Sequence, residues 1–153
     1  MNCIHSPQKR RWLGNYPEGM LYFLGCHLID LVYLICGESD EIIPLIMSVG
    51  TDNVMADDFA MAVFKYKNGV SFVKSTATEI GGFERRQLVG CGTKGTVELK
   101  PIEWWAPESE GEIVMLTTGV REAFEENWNT RENCFNTPAY GRYDDMLRAF
   151  ALM

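Results

Sequence analysis

Two side chains with the means to move a proton stand three residues apart, His27 and Asp30. An imidazole ordinarily titrates near neutrality, so it can both accept and donate a proton under physiological conditions. Residues i and i+3 share a helical face. Asp30 is therefore placed to orient the ring or to stabilise its charged form, while a helix amino end favours the neutral form. The same pair also fits a plain structural role, with His27 a satisfied residue at a helix start and Asp30 a first-turn carboxylate. Spacing alone favours that second role and leaves the first open.

Other chemistries find less support. His5, the second histidine, is far from His27 in sequence, and the cysteines at 3, 26, 36, 91 and 134 lack zinc-ligand spacing. His27 with Asp30 supplies two metal ligands and not three, so no metal is expected. The cysteine count is odd and contains no C-x-x-C pair. Cys26, Cys36 and Cys91 sit among apolar or glycine neighbours, which predicts reduced thiols used as small hydrophobes in a reducing, cytoplasmic compartment. Gly90-x-Gly92-x-x-Gly95 has the glycine spacing of a dinucleotide fingerprint. That fingerprint must follow a strand and open a helix whose amino end receives pyrophosphate. Here Thr96-Val97-Glu98-Leu99 follows, a β-rich segment, so the glycines predict a tight turn and no Rossmann unit.

The elements that must position His27 follow from the apolar pattern. Residues 1–18 read as irregular, with Pro7 and Pro17 as breakers, Trp12 as an anchor, and Lys9-Arg10-Arg11 as a solvated segment. Residues 20–24 read as a short extended piece. Cys26 to Cys36 reads as a helix of about three turns stopped by Gly37. That helix is apolar on nearly every side and must be covered almost completely. Glu41 to Val49 is a candidate strand. Asp58 to Tyr66 and Val70 to Thr78 form a hairpin around Asn68-Gly69, a dipeptide suited to a two-residue turn. That turn pairs Lys65 with Phe72 and Phe64 with Val73. Neither face of the hairpin is cleanly polar, which predicts helices on one face and another surface on the second. Glu84 to Val89 and Thr96 to Leu99 make a second hairpin, Ile113 to Thr117 an edge strand, and Arg142 to Met153 a helix. Pro101 to Asn136, with Trp104, Trp105 and Trp128, takes no clear element; its aromatics could stack on a sugar or pack in a core or interface.

The 153 residues suffice for one domain with a hydrophobic core, and 46% apolar and 23% charged residues make a globular composition. A net charge of -7 argues against a nucleic-acid surface. The longest apolar run, Leu28 to Cys36, is interrupted by Asp30 and is too short to span a bilayer. Met1 to Arg11 lacks the apolar core of a signal peptide. The last helix runs to Met153 without a capping residue, which suggests that the functional protein is longer.

The run Gly19-Met20-Leu21-Tyr22-Phe23-Leu24-Gly25-Cys26-His27-Leu28-Ile29-Asp30 resembles the G-G-x-L-x-D-x-G-x-H-x-x-D signature of the Gfo/Idh/MocA (glucose–fructose oxidoreductase / inositol dehydrogenase) family, matching at Gly19, Leu21, Gly25, His27 and Asp30. Gly92 to Thr96 and the Arg142 to Met146 segment are similar to family features as well. The resemblance implies a carboxy-terminal α+β domain over residues 1–153, truncated at both ends relative to a longer protein. Its fold would be two-layered and dihydrodipicolinate-reductase-like: an open, predominantly antiparallel mixed β-sheet with helices on one face. It implies no cofactor in this domain alone, and NAD or NADP on a separate amino-terminal Rossmann domain. It further implies a sugar or polyol substrate and a homodimer or larger homo-oligomer formed through the open sheet face. His27 would take a hydroxyl proton while hydride leaves the same carbon for nicotinamide. Two residues depart from the pattern: Glu18 replaces the first glycine, and Phe23 the aspartate that works beside the histidine. Asp30, Tyr22, Glu79, Arg142 and Tyr143 are supporting candidates by chemistry. Some relatives use this scaffold for NAD-dependent glycoside cleavage, and a non-catalytic self-association or scaffold role fits the Phe23 departure.

Overall fold

Ser6 and Pro7 start a helix. The Ser6 hydroxyl oxygen accepts a hydrogen bond from the Lys9 backbone N–H at 3.3 Å, and Pro7, which has no N–H to leave unsatisfied, takes the first turn. The structure, a computed structural model, describes residues 2–105, 115–126, 129–141 and 144–152. Its chain divides into two compact units, Met1–Phe83 and Glu84–Met153. Helix α1 spans Pro7–Leu13, where the sequence reads as irregular. Pro7 stands at the one helical position where proline is favoured, so it begins the helix it was expected to break. Arg10 and Leu13, three residues apart, form its buried edge, so the basic cluster is not simply solvated.

Residues 20–24 are not extended. Leu21–Gly25 is a π-helical turn, closed by the Cys26 N–H donating to the Leu21 carbonyl five residues back. It runs directly into helix α2, Cys26–Cys36, whose bounds are those the sequence predicts, with Gly37 at φ 74° ending it. Leu28 and Val32, one turn apart, are buried with Leu21 against Ala60, Ala62, Phe64 and Val73. Full burial of one such side chain stabilises by about 1.5–3 kcal/mol. The expected complete cover of α2 is absent among the described residues: Tyr33, Leu34 and Ile35 are 61%, 79% and 65% exposed.

Three antiparallel strands receive these helices: β1 (Glu41–Met47), β2 (Phe59–Tyr66) and β3 (Gly69–Thr76), in that order. The β2–β3 register pairs Lys65 with Val70 and Ala62 with Val73, two residues from the expected one, and the turn is Lys67-Asn68. Neither Asn68 nor Gly69 takes the positive φ of a primed turn. A two-residue slip keeps every side chain on its own face, so the apolar pattern could not reveal it. Ala60, Ala62, Phe64, Val73 and Ser75 point to the helices. The opposite face is open and apolar, with Ile43, Leu45, Met47, Val70 and Phe72 between 45% and 67% exposed. Asn2 bridges Thr76 in parallel, which makes the otherwise antiparallel sheet mixed. The first unit is thus an open, mostly antiparallel sheet with helices on one face, the expected α+β class.

In the second unit, β4 (Leu88–Gly92), β5 (Gly95–Leu99), β8 (Gly119–Glu126) and β9 (Asn129–Asn136) form one antiparallel sheet. Strands β6 (Trp104–Trp105), β7 (Met115–Thr117) and β10 (Tyr140–Gly141) form another, in the order β10-β7-β6. β7 is therefore central rather than an edge. Buried Thr118 joins this region: its hydroxyl donates to the Ile102 carbonyl at 2.6 Å, and its N–H donates to Thr137 Oγ1 at 2.9 Å. Helix α3 spans Asp144–Ala151, with Met146, Leu147 and Phe150 exposed. None of the five cysteines forms a disulfide; Cys26, Cys36 and Cys91 are exposed rather than packed, and Cys3 is the buried one.

Candidate functional site

His27 stands in the first turn of α2, immediately after the π turn. Several features force the chain into that entry. Glu18 (φ 61°) and Gly19 (φ 42°) are consecutive left-handed residues. A side chain at Gly19 would run into the Asp57 carbonyl, while the Met20 N–H donates to that carbonyl at 2.8 Å. A Cβ on Gly25 would lie 2.7 Å from Leu21 Cδ1, so glycine allows the wide turn to close on a core leucine. The glycine departure at Glu18 thus falls on a residue whose backbone still takes the conformation that favours glycine.

His27 and Asp30 are both exposed. Among the described residues, neither makes a hydrogen bond or ion pair, so Asp30 shares the helix with the imidazole without holding it. Tyr22, 59% exposed, stacks on Tyr16 with centroids 5.7 Å apart and planes 9° from parallel. Glu79 is tied elsewhere: its carboxylate accepts from Lys74 Nζ at 3.0 Å, and its N–H donates to the Cys3 carbonyl at 3.0 Å. Lys74 belongs to the open face of the sheet, whereas His27 belongs to the helices packed on the other. Arg142 and Tyr143 lie outside the described residues, as does Trp128.

Phe23 points into an aromatic group. Trp12 lies edge-on to it at 5.6 Å, His5 edge-on at 6.2 Å, and the Lys9 ammonium 4.8 Å from its ring centre. Lys9 Nζ is also 3.8 Å from the centre of Trp12. Sequence reasoning missed this group and the buried Arg10–Asp58 ion pair beside it, at 3.0 Å. The Ser6-Pro7 helix start was the signal that would have exposed the first, because a helix from Pro7 puts Lys9 and Trp12 three residues apart on one side. The ion pair joins residues 48 apart in sequence, which no local pattern shows.

The Gly90–Gly95 run does not form a dinucleotide loop. Gly90, Gly92 and Gly95 lie in the β4–β5 hairpin, and a Cβ on Gly95 would lie 2.7 Å from the Ala123 carbonyl. No helix amino end follows to receive a pyrophosphate. The second unit carries a shallow groove of about 510 Å³ lined by Glu98, Lys100, Arg121, Cys134 and Phe135 among others. Its Arg121 is held above its ordinary pKa by the hydrogen bond to Glu132 and that carboxylate's charge, with Glu98 adding to the effect. Among the described residues, no cluster of three or more His, Cys, Asp or Glu side chains could hold a metal ion, and no helix is long and apolar enough to cross a membrane.

Residues 3–98 match the sequence model of the GFO/IDH/MocA C-terminal domain. That segment contains Tyr22, His27, Asp30 and Glu79. No curated protein sequence matches the chain. Several solved structures share its fold, three of them as follows. A candidate oxidoreductase from Bacillus subtilis superposes with a TM-score of 0.70 at 15% identity, over 99% of this chain and 44% of that one. A second, from Yersinia pestis, has a TM-score of 0.60 at 17% identity, over 90% and 41%. A third, from Klebsiella pneumoniae, has a TM-score of 0.58 at 18% identity, over 98% and 42%. The chain spans less than half the length of each.

Proposed function

Because the chain belongs to the GFO/IDH/MocA family through the carboxy-terminal domain matched over residues 3–98, we propose that it is the substrate-binding and oligomerisation domain of an NAD(P)-dependent oxidoreductase acting on a sugar or polyol. In this reading it works within a longer cytoplasmic protein whose nucleotide-binding domain lies outside these residues. What falls to this chain is the proton: His27 accepts it from a substrate hydroxyl in the oxidising direction and returns it in the other. The observation that carries the reading is the location of His27. It is solvent-accessible, free of any hydrogen bond among the described residues, and delivered by a π turn, a device that recurs at functional sites. Asp30 and Tyr22 flank it on the same helical rod as substrate contacts. The exposed flank of α2 at Tyr33, Leu34 and Ile35 supports a second domain or subunit against that helix.

The test is His27→Ala in a protein that includes the nucleotide-binding domain. Turnover of its polyol substrate should fall by at least about a hundredfold, the usual worth of a positioned general acid–base. Wild-type turnover removes His27 from the mechanism.

A second reading, self-association without chemistry, is favoured by the open face of β1–β3. Catalytic silence of both the native protein and its His27→Ala variant, together with a stable dimer, would favour it over the first.

A further inference from the structure

Lys9 is a cation placed where its own helix does not stabilise it. It lies in the first turn of α1, which contains no acidic residue, and positive charge is unfavourable at a helix amino end. The neighbouring cation, Arg10, is neutralised by Asp58 and Asp52. Lys9 is not. Half-buried, its ammonium makes no hydrogen bond or ion pair among the described residues, and what holds it is the faces of Trp12 and Phe23 at 3.8 and 4.8 Å. Ring faces fix the position of an ammonium while leaving N–H donors available. The two rings stand at 86° to one another, forming an apolar corner around the charge.

The corner adjoins the candidate site. Phe23 precedes His27 by four residues on one continuous helical rod, and residues so spaced are neighbours at about 6 Å between Cβ atoms. A small molecule anchored at Lys9 thus extends along the turn that carries His27.

We propose that Lys9 binds the carboxylate of a small hydroxy acid, such as a sugar acid, whose carbon skeleton packs against Trp12 and Phe23. This rests on the reading of the His27 helix as a polyol site and narrows its substrate to an acidic one. A carboxylate suits the donors better than a phosphate. Phosphate sites gather several backbone N–H groups or a guanidinium fork, whereas the Lys9 N–H is already taken by Ser6 and Arg10 by two aspartates, which leaves one point charge.

The two histidines give the measurement. Imidazole NMR signals of His5, beside Phe23, and of His27 are followed in the 153-residue chain during titration with D-glucuronate, D-glucose and D-glucose 6-phosphate at constant ionic strength. Glucuronate should shift both signals with an apparent Kd at least about fivefold below that of glucose. Lys9→Met should erase that difference with the spectrum of the free protein otherwise kept, and Lys9→Arg should retain it. Equal affinity for glucuronate and glucose, or a preference that survives Lys9→Met, overturns the proposal and leaves the polyol reading standing. A tighter, Lys9-dependent response to the phosphate overturns the carboxylate assignment. No response to any of the three removes the polyol reading and this proposal together.

Discussion

Arg10 and Asp58 face each other at 3.0 Å between Nη1 and Oδ2, with side chains 3% and 0% exposed. The pair is the centre of a wider clasp. Arg10 Nη1 donates to Thr51 Oγ1 at 2.7 Å, its Nη2 donates to Asp52, and Asp58 Oδ1 accepts from the Val49 N–H at 2.9 Å. Asp52 and Asn53 adopt φ near 55° in the same loop. The segment from Val49 to Asp58 therefore holds α1 through Arg10 and, through the Asp57 carbonyl, the Met20 N–H at the mouth of the π turn.

Removing one member of a buried ion pair strands the other charge, which costs about 3–5 kcal/mol. Arg10→Met should therefore lower the urea-unfolding free energy by about that amount, because the fully buried Asp58 carboxylate then keeps only the Val49 N–H among the described residues. Asp58→Ala leaves Arg10 its second carboxylate at Asp52 and should cost less. A double replacement, Arg10→Met with Asp58→Leu, should recover most of the loss, because neither charge is then left uncompensated. An Arg10→Met loss below about 1 kcal/mol would mean that this clasp does not anchor α1.

Glu18 offers the opposite sign. A non-glycine residue in the left-handed region carries about 1–2 kcal/mol of steric strain, and Glu18 sits there at φ 61°, exposed. Glu18→Gly relieves that strain, offset in part by the greater freedom glycine gives the unfolded chain. Thermal melting should show Tm unchanged or raised, with a gain of up to about 1 kcal/mol. The neighbouring Gly19→Ala should instead destabilise clearly, because its Cβ would meet the Asp57 backbone, which cannot swing aside as a side-chain tip can.

The contrast between these positions shows what could be read from residues alone. Helix α2 was legible because eleven residues of apolar spacing end on a glycine with positive φ. The faces of β2 and β3 were legible for a similar reason, since period-two alternation survives a two-residue slip, though the register did not. Helix α1 was hidden by reading Pro7 as a breaker. The long β8–β9 hairpin was hidden by its composition: Gly-Val-Arg-Glu-Ala-Phe-Glu-Glu and Asn-Thr-Arg-Glu-Asn-Cys-Phe-Asn carry no clean alternation, and backbone pairing across eight rungs defines it instead. His27 and Asp30 could be located on their helix, but the absence of a bond between them could not, because it depends on the side-chain orientation that follows the π turn.

That unbonded state predicts how His27 affects stability. An exposed residue with no partner contributes little to folding, so His27→Ala should change the unfolding free energy by less than about 0.5 kcal/mol. Leu28→Ala, one residue on, should cost about 2–5 kcal/mol, because Leu28 is 6% exposed in the cluster with Leu21, Val32 and Phe64. Equilibrium denaturation of both variants tests the contrast. A large loss for His27→Ala would mark the histidine as structural after all.

The open face of the first sheet predicts association. Ile43, Val63 and Phe72 stand in one row across β1, β2 and β3, with Leu45 and Met61 in the next. Ile43 and Phe72 are 45% and 62% exposed, and an apolar surface of this kind marks an interaction site more often than bare surface. The helix-facing side of the same strands is already occupied by α2, so a charge at Phe72 is directed away from the unit's own core. Phe72→Asp combined with Leu45→Lys should leave the circular dichroism spectrum intact and shift sedimentation from dimer towards monomer, weakening association by at least tenfold. A native chain that sediments as a monomer at high micromolar concentration would show that the open face does not pair copies of this chain.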